Sequence, residues 1–264
     1  MKFETEAEGT ENEPLNVDDM LHDEIYGPDS VVLNTIFRNR NQAIESLEPG
    51  IFINDTVITY VMKSLAKNHP SPKFKHLDTF LHGQLLLDES DGKNLKSRDR
   101  LRVIFKKLFQ DNVTARGGKF PYVLFPINPN DFHWSLIVLD IEKRTIRHYC
   151  SLGHHLSSYT KSFSMMSQMT SVIDEFMLKY KKSSWKVVDN KNAPLQTDGY
   201  NCGIYVCMVA KYLYIGHGLK IDSILANDFR AVLRTKFKKG IKSGLLNFND
   251  KCWGKRDNSK YAKY

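Results

Sequence analysis

The chain has 264 residues, 41% hydrophobic and 26% charged, enough to bury a substantial core in one globular domain. It has no run of about 18 apolar residues and no basic start followed by an apolar stretch, so neither a membrane span nor a secretory signal is expected. Residues 1–30 hold ten acidic side chains against Lys2 and carry −9, which leaves +17 on the other 234 residues to reach the net +8.

An acidic start with few aromatics reads as a disordered tail over residues 1–30. The folded domain is expected over 31–250, with a polar, basic tail over 251–264 that holds Trp253. Within the domain, Asp55 to Ala66 carries Val57, Ile58, Val61, Met62 and Leu65 on a helical stripe, with Asn54 or Asp55 as cap. Arg98 to Phe109 repeats the pattern. Tyr122 to Asn128 and Trp134 to Asp140 read as strands around the turn Pro129-Asn130-Asp131. A helix over Met165 to Tyr180, a strand over Trp185 to Val188, a helix over Cys202 to Tyr214 and a helix over Asn227 to Phe237, with Asn227 as cap, complete the series. Strands gathered mid-chain between helical groups predict an α+β fold with a central mixed sheet flanked by helices.

Two residues in this frame carry chemistry. Cys202 follows the turn residues Asp198-Gly199 and Asn201, and precedes the apolar stripe Ile204, Tyr205, Met208, Val209, Tyr212 and Leu213. A cysteine on the first turn of a helix meets unpaired backbone N–H groups that favour the thiolate, the form that acts as a nucleophile. Those N–H groups and the Gln196 side-chain amide are placed to donate to the oxyanion of an acyl-transfer intermediate. A small buried hydrophobe describes most free cysteines equally well. His133 enters a strand, where the sheet fixes the ring and the loop side stays open, as a general base requires. The other eight histidines, His148, His154 and His155 near a loop among them, lack that setting. No Cys-x-x-Cys or His-x-x-x-His pair is present, so no metal is expected, and the chemistry requires no cofactor. Four cysteines, at 150, 202, 207 and 252, fit a reducing compartment better than a disulfide framework.

Three ordered blocks carry a resemblance. Phe52-Ile53-Asn54-Asp55-Thr56-Val57-Ile58, His133-Trp134-Ser135-Leu136-Ile137-Val138-Leu139-Asp140 and Gln196 through Cys207 resemble the ubiquitin-like-protein-specific, SUMO or sentrin-type cysteine proteases of the papain-like adenain clan. Cys202 lies 69 positions after His133, and the likeness spans residues 35–240. It implies a papain-like fold, Cys202 as nucleophile, His133 as general base and Gln196 in the oxyanion hole. It also implies a narrow slot for the Gly-Gly tail of a modifier, closed by Phe52 and Trp134 with Asn54 and Asp55 alongside. A slot roofed by flat rings admits two glycines and rejects a β-carbon. Ordinary core packing is the competing reading of both aromatics.

One departure stands out. Where the family has aromatic-x-Asp-Ser-Leu, this chain has His148-Tyr149-Cys150-Ser151-Leu152, so Cys150 takes the place of the acid that orients the histidine. Three consequences stay open: a weakened Cys–His dyad, a carboxylate such as Asp140 or Asp189 supplied from elsewhere, or a pseudoprotease that binds a modifier without cleaving it. The implied partner is a ubiquitin-like modifier, SUMO first, with the neddylation modifier or ubiquitin as alternatives, and an acyltransferase of the same clan is a further possibility. The basic body suits an acidic protein partner; its lysines are scattered and follow no nucleic-acid motif. The expected setting is intracellular, nucleus or cytoplasm, of a host cell if the source is a pathogen.

Overall fold

The computed structural model describes residues 39–68, 74–90, 92, 94–113, 122–129, 131–176, 184–189 and 191–239. Both expected tails, with His22, Cys252 and Trp253, lie outside them. Among these residues the elements run α1 (Arg40–Ser46), α2 (Asp55–Asn68), β1 (Phe74–His76), α3 (Thr79–Ser90), α4 (Asn94–Val113), β2 (Tyr122–Ile127), β3 (Ser135–Asp140) and β4 (Thr145–Tyr149). After a 3₁₀ turn at Leu156–Ser158 come α5 (Thr160–Phe176), β5 (Lys186–Asp189), α6 (Cys202–Ile215) and α7 (Ser223–Lys239).

The sheet order is β1-β2-β3-β4-β5. β1 and β2 pair in parallel, β2–β3 and β3–β4 antiparallel, and β4–β5 in parallel, which gives the mixed sheet expected. Side chains alternate across a strand, so the inner strands β2, β3 and β4 feed two cores. Leu124, Leu136 and Val138 pack with Val57, Tyr60, Ile204, Tyr205, Phe229, Leu233 and Phe237 on the face covered by α1, α2, α6 and α7. Val123, Phe125, Ile137 and Leu139 pack with Leu81, Leu101, Phe105, Met165 and Met169 from α3, α4 and α5 on the other face. All six residues of β3 are buried, as befits a strand covered on both sides.

Several boundaries differ from expectation, among them the helix expected over Arg98 to Phe109, which runs from Asn94 to Val113. Asn227 is no cap: α7 begins at Ser223, where Asp222 Oδ1 accepts the Leu225 N–H at 2.8 Å, and Asn227 Oδ1 accepts from Asn201 Nδ2 at 2.9 Å. The helix expected from Met165 begins five residues earlier, at Thr160. Its polar first turn hid the start from a reading of apolar spacing. At α2 the cap is Asn54, whose Oδ1 accepts the Val57 N–H at 3.2 Å, while Asp55 Oδ1 accepts the Thr56 N–H at 2.8 Å.

No helix among the described residues is long and apolar enough to cross a membrane. The register that pairs Leu136 with Tyr149 brings the start of β3 and the end of β4 together at one end of the strands. His133 and Cys150 meet there.

Candidate active site

α6 is buried along nearly its whole length, and its first residue is Cys202, 1% exposed. Asn201 precedes it without capping it through its side chain; instead Asp198 Oδ1 accepts the Tyr200 and Asn201 N–H groups at 2.9 and 2.8 Å, and Asp198 Oδ2 accepts from Asn201 Nδ2 at 2.8 Å. The turn before the cysteine therefore spends its own polar groups on itself and leaves the helix-start N–H groups to the thiol. Trp134 N–H donates to Cys202 Sγ at 3.4 Å, which sets the thiol beside the residue that follows His133. Burial pushes the Cys202 thiol up; the N–H groups of Trp134, Gly203 and Cys202 itself oppose that.

Arg230, 3% exposed, secures this turn from α7. Its Nε donates to Asn201 Oδ1 at 2.9 Å, Nη1 to the Ser46 and Glu48 carbonyls at 3.0 and 3.1 Å, and Nη2 to the Tyr200 carbonyl at 3.2 Å. The guanidinium also lies over the Tyr200 ring, 5.2 Å from its centre. Arg230 escaped the sequence reading because nothing local marks a residue 29 positions from its partner.

His133 is 6% exposed, and its backbone N–H is held by Asn128 Oδ1 at 3.2 Å. Nε2 lies 3.1 Å from Cys150 Sγ, so the structure seats Cys150 where the resemblance expects the acid. Nδ1 is buried and makes no hydrogen bond among the described residues. Burial first, then the charges of His154 and His148, push the His133 imidazolium down to about 4, and burial also pushes the Cys150 thiol up. The resting pair is a neutral imidazole against a thiol.

Among the described residues no carboxylate bonds His133, contrary to one of the three readings above. Asp189 is engaged by His148 Nδ1 at 3.2 Å, His155 Nδ1 at 2.9 Å and the Leu156 N–H at 2.9 Å. Asp140 Oδ1 accepts the Lys143 N–H at 3.0 Å, at the far end of β3. Two of the histidines without the strand-start setting of His133 lie near it: His148, 1% exposed, bonds Ser135 Oγ through Nε2 at 3.0 Å, and the His154 ring centre is 5.9 Å from that of His133.

Gln196 is clamped on three sides. Its N–H donates to the Ser151 carbonyl at 2.9 Å, Ser151 Oγ donates to Oε1 at 2.6 Å, and Nε2 donates to the Asp198 carbonyl at 2.6 Å. The Asp198 carbonyl can only accept, so it fixes which end of the amide is Nε2, and one Nε2 proton remains to donate. Ser151 was no sequence candidate, since its partner is 45 residues away. A narrow cleft lined by Tyr149, Ser151, Pro194, Cys202 and Tyr205 joins the two loops.

The two aromatics differ. Phe52 is 46% exposed, whereas Trp134 is 7% exposed and part of the core, with its indole N–H donating to the Ile53 carbonyl at 3.0 Å. Asn54 and Asp55 turn their oxygens to the start of α2, as described above. Cys150, Cys202 and Cys207 are free and buried, and no group of three or more His, Cys, Asp or Glu suited to a metal ion occurs among the described residues.

A helix-start thiol under the Trp134 N–H, a buried imidazole on the residue before Trp134 and a fixed amide donor are the parts that a thiol hydrolase uses. Residues 52–245 match the Ulp1 protease family, C-terminal catalytic domain, and the chain belongs to that family. Similar proteins include ubiquitin-like-specific protease 1 of Saccharomyces cerevisiae, 24% identical over 200 residues, covering 68% of this chain and 27% of that protein. Sentrin-specific protease 2 of Rattus norvegicus is 27% identical over 200 residues, covering 71% and 30%. The chain thus spans under a third of the length of these relatives. The fold matches that of the C-terminal Ulp1 protease domain solved in complex with Smt3, the yeast ortholog of SUMO, with a TM-score of 0.58 at 24% identity over 75% of this chain and 81% of that one.

Proposed function

We propose that this chain is a thiol hydrolase that cleaves after the C-terminal Gly-Gly of a ubiquitin-like modifier, of the SUMO type first. The observation that carries it is the placement of the Cys202 thiol at the start of buried α6, under the N–H of Trp134, the residue that follows His133. In this reading Cys202 attacks the carbonyl of the modifier's last glycine, His133 takes the thiol proton at Nδ1 and returns it to the leaving amine, and water then releases the acyl group. The free Gln196 Nε2 proton and the Cys202 N–H hold the oxyanion. Exposed Phe52 is available to a modifier tail, and the +17 carried outside the acidic start suits an acidic modifier surface. The relatives named for ubiquitin-like modifiers support that choice of substrate class.

The test is a panel of ubiquitin-like modifiers carrying a C-terminal thiol-reactive group. Wild type is expected to form a covalent adduct with SUMO-type probes; Cys202→Ala is expected to form none and His133→Ala to form it far more slowly. Labelling that survives Cys202→Ala would remove the nucleophile assignment. The pseudoprotease reading draws on one observation, a thiol in place of a carboxylate beside His133. It predicts tight modifier binding, measured by titration of a labelled modifier, without adduct or cleavage.

A further inference from the structure

Asparagine is among the residues most favoured as a helix N-cap, yet the Asn201 side chain does not cap α6. Its backbone, at φ −89° and ψ 6°, lies away from the extended conformation of a capping residue, in the sparsely allowed region that many active-site residues occupy. The side chain is buried and turned toward α7 instead. Arg230 Nε can only donate, so its 2.9 Å contact fixes the oxygen end of the Asn201 amide. The two Nδ2 protons then go to Asp198 Oδ2 at 2.8 Å and to Asn227 Oδ1 at 2.9 Å. Arg230 is itself anchored on the carbonyls of Ser46, Glu48 and Tyr200, so it cannot follow the amide without breaking those bonds.

The first intrahelical bond of α6 runs from the Tyr205 N–H to the Asn201 carbonyl at 3.0 Å. The N–H groups of Cys202, Gly203 and Ile204 come before it and find no carbonyl within the helix. An Asn201 oxygen swung back as a cap would take the Gly203 or Ile204 N–H and quench the donors that favour an anion at the helix start. We infer that Arg230 and Asn227 are positioning residues for the thiol chemistry: from α7 they hold the Asn201 side chain off the N-terminus of α6 and keep its N–H groups for the Cys202 thiolate. Both act on the thiol through Asn201. The helix gives up a stabilising cap, and the nucleophile keeps a start rich in donors.

Thiolate formation reads this without any substrate. The ultraviolet absorbance of the Cys202 thiolate is followed against pH, as the difference between each protein and its Cys202→Ser form. Arg230→Lys keeps the charge but loses the planar fork that holds Asn201 and the carbonyls together, and should raise the Cys202 midpoint by about one pH unit. On an Asn201→Ala background the same change should move it by under about 0.3 unit, because no side chain is left to swing onto the helix. Asn201→Ser and Asn201→Ala lose the same contacts to α7 and differ in a capping hydroxyl, so the serine form should titrate about one unit above the alanine form and unfold at higher urea. His133, Cys150 and Asp198, the titratable groups of the neighbouring segments, remain in all these proteins. At neutral pH, adduct formation with a modifier probe should fall about tenfold in Arg230→Lys and recover above the raised midpoint, whereas a merely loosened turn would slow it at every pH. An unmoved midpoint in folded Arg230→Lys, or a shift of the same size on the Asn201→Ala background, overturns the inference. Should Arg230→Lys fail to fold, equal midpoints for the serine and alanine forms overturn it. The inference rests on the hydrolase reading only for the adduct: shifted midpoints in a chain that labels no modifier would keep it and remove the hydrolase, whereas full labelling with unmoved midpoints would do the reverse.

Discussion

The indole N–H of Trp134 donates to the Ile53 carbonyl across 81 residues, so one hydrogen bond ties the segment that carries Phe52 to the segment that carries His133. Trp134 is therefore a strut as well as a candidate roof for a modifier tail. Trp134→Ala empties buried volume and should cost about 3–5 kcal/mol, so it reports on folding before it reports on substrate. Trp134→Phe is the sharper probe. It keeps most of the ring, orphans the Ile53 carbonyl, and should lower stability by about 1–2 kcal/mol in urea titration. If Phe52 closes over the substrate, KM should rise while kcat changes little. An unchanged KM in the folded variant would assign Trp134 to the core alone.

Gly203 follows the candidate nucleophile, and a β-carbon there would fall 2.4 Å from Ile53 Cγ1, 2.8 Å from Ile53 Cδ1 and 3.1 Å from Trp134 Cδ1. Glycine inside a helix normally costs about 0.5–1 kcal/mol relative to alanine, so an unobstructed Gly203→Ala would stabilise. Here the clash should reverse the sign and destabilise by about 1–3 kcal/mol, as overpacking does. Ile53→Ala in the same chain should recover part of that loss. A stabilised Gly203→Ala would mean that the loop at 51–54 yields easily, and that the start of α6 is not pinned by it.

His82 offers a clean pH test because it is 2% exposed, bonds Ser162 Oγ through Nε2 at 3.1 Å and lies outside the candidate site. Burial lowers its imidazolium from 6.5 to about 4. As pH falls below 6.5 the unfolded chain takes up the proton first, so stability drains between about 6.5 and about 4 and levels off below that. His82 alone should remove about 2 kcal/mol between pH 7 and pH 5. His82→Gln keeps a polar contact to Ser162 without titrating. Denaturant titration at the two pH values should show a smaller loss for the variant by about that amount, and an equal loss in both proteins would place the acid sensitivity elsewhere.

Legibility followed how local each cause is. α6 was readable because Ile204, Tyr205, Met208 and Val209 keep helical spacing, and β2 and β3 because apolar runs are bounded by turn residues. β1 is three residues long and exists through its parallel pairing with β2, which no local pattern announces. α3 runs through His82, Gly83 and the cluster Leu85 to Leu87, which blur any stripe. The resemblance singled out Cys202, His133, Gln196 and Cys150, and the structure places Cys150 against His133 and Cys202 under the Trp134 N–H. Their supports were invisible: Ser151 meets Gln196 and Arg230 meets Asn201 only once the loops have folded. The buried neighbours of His133 were likewise hidden, because spacing within a loop does not show what the loop encloses.

The position of Cys150 makes its replacement the most decisive change to the site. The sulfur sits 3.1 Å from His133 Nε2, so Cys150→Asp introduces a carboxylate beside the imidazole. A negative partner favours the imidazolium that burial now holds down near about 4, and a more stable imidazolium favours the Cys202 thiolate paired with it. If Cys202 and His133 work together as proposed, modifier cleavage should rise about tenfold or more, which is roughly 1.4 kcal/mol of transition-state stabilisation. The gain should be largest near and above neutral pH, where an unsupported imidazolium is lost first. Cys150→Ser should change little, because a hydroxyl has the donor and acceptor capacity of the thiol and brings no charge. A folded Cys150→Asp with lower activity would show that the thiol and its neighbours already serve His133 better than a carboxylate can. If wild type and Cys150→Asp are both inert yet bind a modifier tightly, the chain is a modifier-binding member of the family rather than a protease.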